Sequence, residues 1–153
     1  MTPDELREEI SIEIEMIENI IQELLALREE VANREPTTRE KTAAATFLAQ
    51  FYSAIENILK RISKFRKVPL PVGDTWHIDL FKRFCAKPYP PLPELFDESL
   101  ASDLSPFRRF RHVVYHSYSF QLEWDRMKEG IEKVEIIFMR FKTRLFNYLQ
   151  SLE

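Results

Sequence analysis

Five side chains with phosphate and proton chemistry fall within one short stretch. Phe107 to Phe120 reads FRRFRHVVYHSYSF, and no acidic residue stands between Ser105 and Leu122. An arginine presents a rigid, permanently charged fork that suits a phosphate oxygen pair. A histidine titrates near neutrality and passes protons in either direction. Cleaving an RNA phosphodiester uses both. A base removes the 2′-hydroxyl proton, an acid protonates the leaving 5′ oxygen, and a cation steadies the charge that builds on phosphorus.

Wound as a helix, the stretch divides into two faces. With Arg111 at zero and about 100° per residue, Phe107, Phe110 and Val114 project to about 260–320°, with Val113 and Ser117 beside them. These residues should face a core. Arg108, Arg109, His112, Tyr115 and His116 project to about 40–160° and make a cationic face. Arg111 and His116 are the candidate catalytic pair. Arg108, Arg109, His112 and Tyr115 are candidate substrate-binding residues. Arg108 and Arg109 could equally contact an acidic neighbouring helix, and Tyr115 could stack on a base or pack internally. His112 and His116, four apart, share a face, but no third metal ligand is evident. One such histidine per chain supplies one proton-transfer group, so two copies across a dimer would supply acid and base. Elsewhere, His77 stands alone beside Trp76 and reads as a packed histidine. Glu56, in a helix interior, reads as solvent-exposed, or as a group orienting Arg111 or His116.

The elements that carry these residues are helical. Only two glycines occur in 153 residues, which disfavours tight hairpins and excludes a Gly-rich phosphate loop. Thr2, Pro3 and Glu5 form a helix start, and Ile10, Ile14, Ile17, Ile21 and Leu24 follow at helical spacing. Ile12, Met16, Ile20 and Leu27 widen the stripe, implying burial on more than one side, inside a bundle or against a partner subunit. A second helix should start near Thr37 or Thr38, with Glu40 in a capping box and Phe47, Phe51, Ile55, Leu59 and Ile62 on its core face. Asp74 is placed to cap a short helix, TWHIDLFKRFCA. KPYPPLPELF reads as an extended surface strap. Ser105-Pro106 looks like a cap and first turn for the cationic helix, which should run to Phe120. Met127, Ile131, Val134, Phe138, Phe141, Leu145 and Leu149 mark a final long helix with Gly130 as its weakest point. The reading is one all-α domain over 1–153, an up-and-down bundle of four long helices plus a short one.

Charge and composition narrow the class further. Residues 1–35 hold eleven acidic and three basic residues, a net −8, and the remainder carries +5. An acidic helix on a mildly basic body follows. The single cysteine, Cys85, excludes an internal disulfide, and the acidic start differs from a basic leader peptide. Both agree with a cytoplasmic protein, and no apolar run reaches membrane-spanning length.

Arg111-His112-Val113-Val114-Tyr115-His116-Ser117-Tyr118 resembles the R-x4-H-x-Y signature of HEPN ribonuclease toxins, above all the HepT-like proteins. FYSAIENILKRISK is similar to their second helix. The resemblance implies a HEPN-like bundle that dimerises, with Arg111 and His116 of two copies forming one composite endoribonuclease site that needs no cofactor and no metal. It implies a toxin of a toxin–antitoxin pair acting on RNA, either tRNA or mRNA. It also implies a minimal nucleotidyltransferase antitoxin that adenylylates Tyr118. His112 stands where asparagine is commoner, and the proline-rich strap is a second departure. The competing expectation is a catalytically silent HEPN scaffold that dimerises and recruits a partner.

Overall fold

Two helices start by the same device. The hydroxyls of Thr2 and Thr37 each accept from the backbone N–H three residues on, and the glutamate at that position accepts the threonine's own N–H. In the computed structural model, which describes residues 1–153, they open α1 (Pro3–Glu30) and α2 (Thr38–Phe65). The pair lies antiparallel. Arg61 of α2 reaches Glu9 and Glu13 of α1 at 2.8 and 3.1 Å. The isoleucine stripe of α1 is buried as expected, with Leu6 and Leu27 extending it. Ile12 and Met16 are not covered and remain exposed in the single chain. The bundle therefore closes one side of α1 and leaves the side that carries those two residues open.

A short helix, α3 (Trp76–Lys82), follows the loop around Gly73. Asp74 does not cap it. Thr75 holds the cap position without capping the backbone, and its hydroxyl donates to the Asp79 carboxylate at 3.0 Å. The strap then crosses the surface and pins itself by burying Leu92, Leu95 and Phe96. The N–H groups of Leu95 and Phe96 both donate to the Phe84 carbonyl.

The cationic helix, α4 (Glu98–His116), starts earlier and ends sooner than expected. Asp97 is its cap, accepting from the Leu100 N–H at 2.7 Å. Pro106 lies inside the helix rather than at its first turn. An interior proline removes one ladder bond and costs about 3 kcal/mol. Burial of Leu100, Leu104 and Phe107 on the same helix opposes that cost. The Ser105 hydroxyl does not cap anything and donates back to the Ala101 carbonyl. At Ser117 the backbone turns extended, so Tyr118 and Phe120 leave the helix.

A single 3₁₀ turn (Ser119–Gln121) separates α4 from α5 (Trp124–Gln150). All seven expected core residues of α5 are buried. This last helix runs back along α1. Arg7 donates to the carbonyls of Leu149 and Leu152, and Lys142 faces Glu18. The result is all-helical, four long helices and a short one around one apolar cluster to which every helix and the strap contribute. No helix is long and apolar enough to cross a membrane.

Candidate functional site

The stripe that α2 presents to α4 contains polar residues. Phe51, Tyr52, Ile55 and Leu59 are buried, and Glu56 is buried among them at 2% exposure. The expectation of a solvent-exposed Glu56 is thus overturned. A carboxylate removed from water must be paired or hydrogen-bonded. Glu56 has two such neighbours. His77 Nδ1 lies 2.6 Å from one carboxylate oxygen, and Arg111 Nη1 lies 3.6 Å from the other. Of the two roles considered for Glu56, orienting Arg111 is the one consistent with this contact.

His77 is likewise not a lone packed histidine. Its only sequence neighbour of note, Trp76, stacks on it with ring centroids 3.5 Å apart. Its functional neighbours come from other elements. Besides the Glu56 contact from α2, Nδ1 lies 3.3 Å from Arg111 Nη1 on α4. Nδ1 can donate only to the carboxylate and could only accept from the guanidinium, so it serves one of them, not both. The carboxylate contact is the shorter, 2.6 Å against 3.3 Å, so Nδ1–H donates to Glu56 and Arg111 is an electrostatic neighbour. Nε2 is then the ring's acceptor.

Arg111 is anchored on both sides. Its Nε donates to the Ser53 hydroxyl at 2.7 Å, and its guanidinium carbon lies 5.3 Å from the Tyr115 ring. Nη2 makes no hydrogen bond within the chain. A fork held by Nε and Nη1, with its second terminal nitrogen free, is suited to present one edge to an anionic oxygen. The hydroxyl of Tyr52 lies buried near this group without a hydrogen-bond partner. Burial, followed by the nearby Glu56 charge, pushes its ionisation well above the ordinary phenol range.

The remaining candidates sit on the outer face. His112 and His116 are both exposed and pack against each other with tilted rings, centroids 4.3 Å apart. Arg109 is exposed and lines a cleft of about 560 Å³ between α4 and α5. Arg108 is half-buried, with its guanidinium carbon 5.4 Å from the Phe81 ring of α3. Neither arginine meets the acidic first helix, whose glutamates pair instead with Arg61 and Lys142. Tyr115 is exposed rather than packed, and Val113, expected near the core, is exposed too. Tyr118 is 78% exposed beyond the helix end.

Within one chain, then, Arg111 is brought together with Ser53, Glu56 and His77. His116 is brought together with His112. Ser53 and His77 were not anticipated. A signal for Glu56 existed: Tyr52, Glu56, Leu59 and Ser63 recur at spacings of four, three and four, so the acid falls on the buried stripe.

Residues 43–152 match the model of the family described as HepT-like protein. That span covers most of the chain, from the second turn of α2 to just past the end of α5, and the chain belongs to this family. Neither a curated protein nor a solved structure matches it.

Proposed function

For this HepT-like chain we propose a metal-independent endoribonuclease, the toxin of a toxin–antitoxin pair, with Arg111 and His116 at its centre. The observation that carries the reading is the state of Arg111, a guanidinium fixed by Ser53 and Glu56 with one terminal nitrogen unpaired. A preoriented cation of this kind stabilises charge on a phosphate without reorganising during the reaction. His116 lies five residues on, exposed at the end of the same helix, where it can reach substrate and exchange a proton. Arg108, Arg109, His112 and Tyr115 extend the binding face along the RNA. Two copies of α4 meeting in a homodimer would place a second His116 at the site.

The exposure of Tyr118 supports its proposed part in regulation. A phenol standing free of the helix end is open to a nucleotidyltransferase antitoxin. A nucleotide added there would set phosphate charge beside His112 and His116 and compete with RNA for the same face.

A specific observation also favours the rival reading, a catalytically silent HEPN scaffold. Three of the contacts of Arg111 lie within its own chain, as expected of a structural arginine. One experiment separates the two. Purified protein is incubated with total cellular RNA in EDTA beside His116→Ala. Cleavage by the wild type and not by the variant supports the nuclease. If both are inert, intact mass is measured for a nucleotide on Tyr118, and an unmodified, inert protein leaves the scaffold.

A further inference from the structure

The proposed reaction needs two proton-transfer groups, and the outer face offers His116 for one. The fold places a different histidine beside Arg111. His77 is brought there by α3, 34 residues away in sequence. Its ring is 29% exposed, so it is neither sealed in the core nor free in solvent. The Glu56 carboxylate, itself buried, takes Nδ1. A histidine with Nδ1–H bound to a buried carboxylate has its tautomer and ring plane set, with the basic Nε2 lone pair directed elsewhere.

Resting on the ribonuclease reading above, we infer that His77, positioned by Glu56, is the general base of this site. Its Nε2 accepts the proton of the ribose 2′-hydroxyl as that oxygen bonds to phosphorus. The P–O5′ bond breaks, its electron pair leaves on the 5′ oxygen, and a protonated His116 supplies the proton for that oxygen. The products are a 2′,3′-cyclic phosphate and a 5′-hydroxyl end, with no further reactant. Arg111, adjacent to Nδ1 and with Nη2 free, faces the phosphate that the base serves. Glu56 of α2 and Arg111 of α4 contact His77, and Lys60 of α2 lies against its stacking neighbour, with the ammonium 4.5 Å over the Trp76 ring. The site thus gains a base from the same chain as its arginine, and no second chain is needed to supply it.

Single-turnover cleavage by the wild type and His77→Asn over about pH 5–8 tests this. Asparagine keeps an amide donor near the Nδ1 position and so retains the Glu56 contact, but it cannot titrate. The expected result is a wild-type rate that climbs with pH on its acidic side. In His77→Asn the rate drops about 100-fold and that climb disappears. Added imidazole restores part of the rate in His77→Ala, which also serves if the asparagine variant does not fold. A wild type that cleaves, beside a His77→Asn variant that keeps its rate within about threefold and the same acidic limb, overturns the base and leaves the nuclease standing. A wild type that does not cleave at all overturns the ribonuclease reading, and the base falls with it.

Discussion

The two ends of α4's motif are held in opposite ways. Arg111 is 22% exposed and tied to two other helices through Ser53, Glu56 and His77. His116, one and a half turns on, is exposed, with His112 as its ring neighbour. The chain therefore invests its packing in the arginine and almost none in the histidine. A cation that must stabilise developing charge works best when already oriented. A proton donor can instead complete its geometry when substrate or a second chain arrives. The same contrast separates stability from chemistry along one helix, and it can be tested from either end.

The largest effect expected is on cleavage. His116→Ala should lower the RNA cleavage rate by about 10²–10⁴-fold, the usual reach of acid–base catalysis, while thermal unfolding stays within a degree or two of the wild type. A large fall in thermal midpoint for this exposed residue would break the contrast. Arg111→Ala should behave differently and affect both measurements. It removes the counter-charge from a buried carboxylate, which costs about 3 kcal/mol in chemical denaturation, the low end for a buried pair because His77 still donates to Glu56, and it also abolishes cleavage. Arg111→Lys keeps a charge but not the fork, so it should recover part of the stability and little of the activity.

How far the molecule was legible from sequence follows the same divide between local and distant causes. The capping boxes at Thr2 and Thr37 lie within four residues, and both formed. The apolar spacing of α5 was likewise sufficient to identify its core. Pro106 misled because a serine–proline pair also fits a helix start, and only the Asp97 cap with the buried Leu100 and Leu104 carries the helix through it. The cationic helix was expected to run to Phe120, but it ends at His116, so Tyr118 stands beyond it. An orienting role for Glu56 toward Arg111 was one reading open in the sequence, but the place of His77 was not legible, because the three residues come from α2, α3 and α4 and no spacing rule connects them. The acid on a buried stripe was the one local sign that something had to pair with it.

A smaller effect comes from a position that touches neither end. An ideal Cβ on Gly130 would lie 3.6 Å from Phe107 and 3.7 Å from Leu48, ordinary contact distances. Gly130→Ala should therefore stabilise the fold by about 0.5–1 kcal/mol through helix propensity, read as a higher denaturation midpoint. Cleavage should be unchanged. A gain in stability with altered cleavage would mean that α5 packing reaches the site, and the two ends of α4 could no longer be treated separately.

The smallest effect concerns whether an acidic limb in cleavage reports chemistry or unfolding. At the start of α2, Glu40 is bound by the Arg34 guanidinium at 2.7 Å and by the Thr37 backbone N–H. The Arg34 bond first, then the Thr37 N–H, hold its carboxyl down at about 2. A depressed carboxyl stabilises the fold at pH above its unfolded value and loses that contribution as pH falls through the folded one. Wild type and Glu40→Gln should therefore differ in stability by a small, constant amount from neutrality down to the ordinary carboxylate range. The difference should then close as pH falls toward about 2. Because the pair is at the surface, the gap itself is small. A gap that closes already near pH 6 would mean that the start of α2 loosens where histidines titrate, and an acidic limb in cleavage would then belong to the scaffold that carries Ser53 and Glu56 rather than to proton transfer.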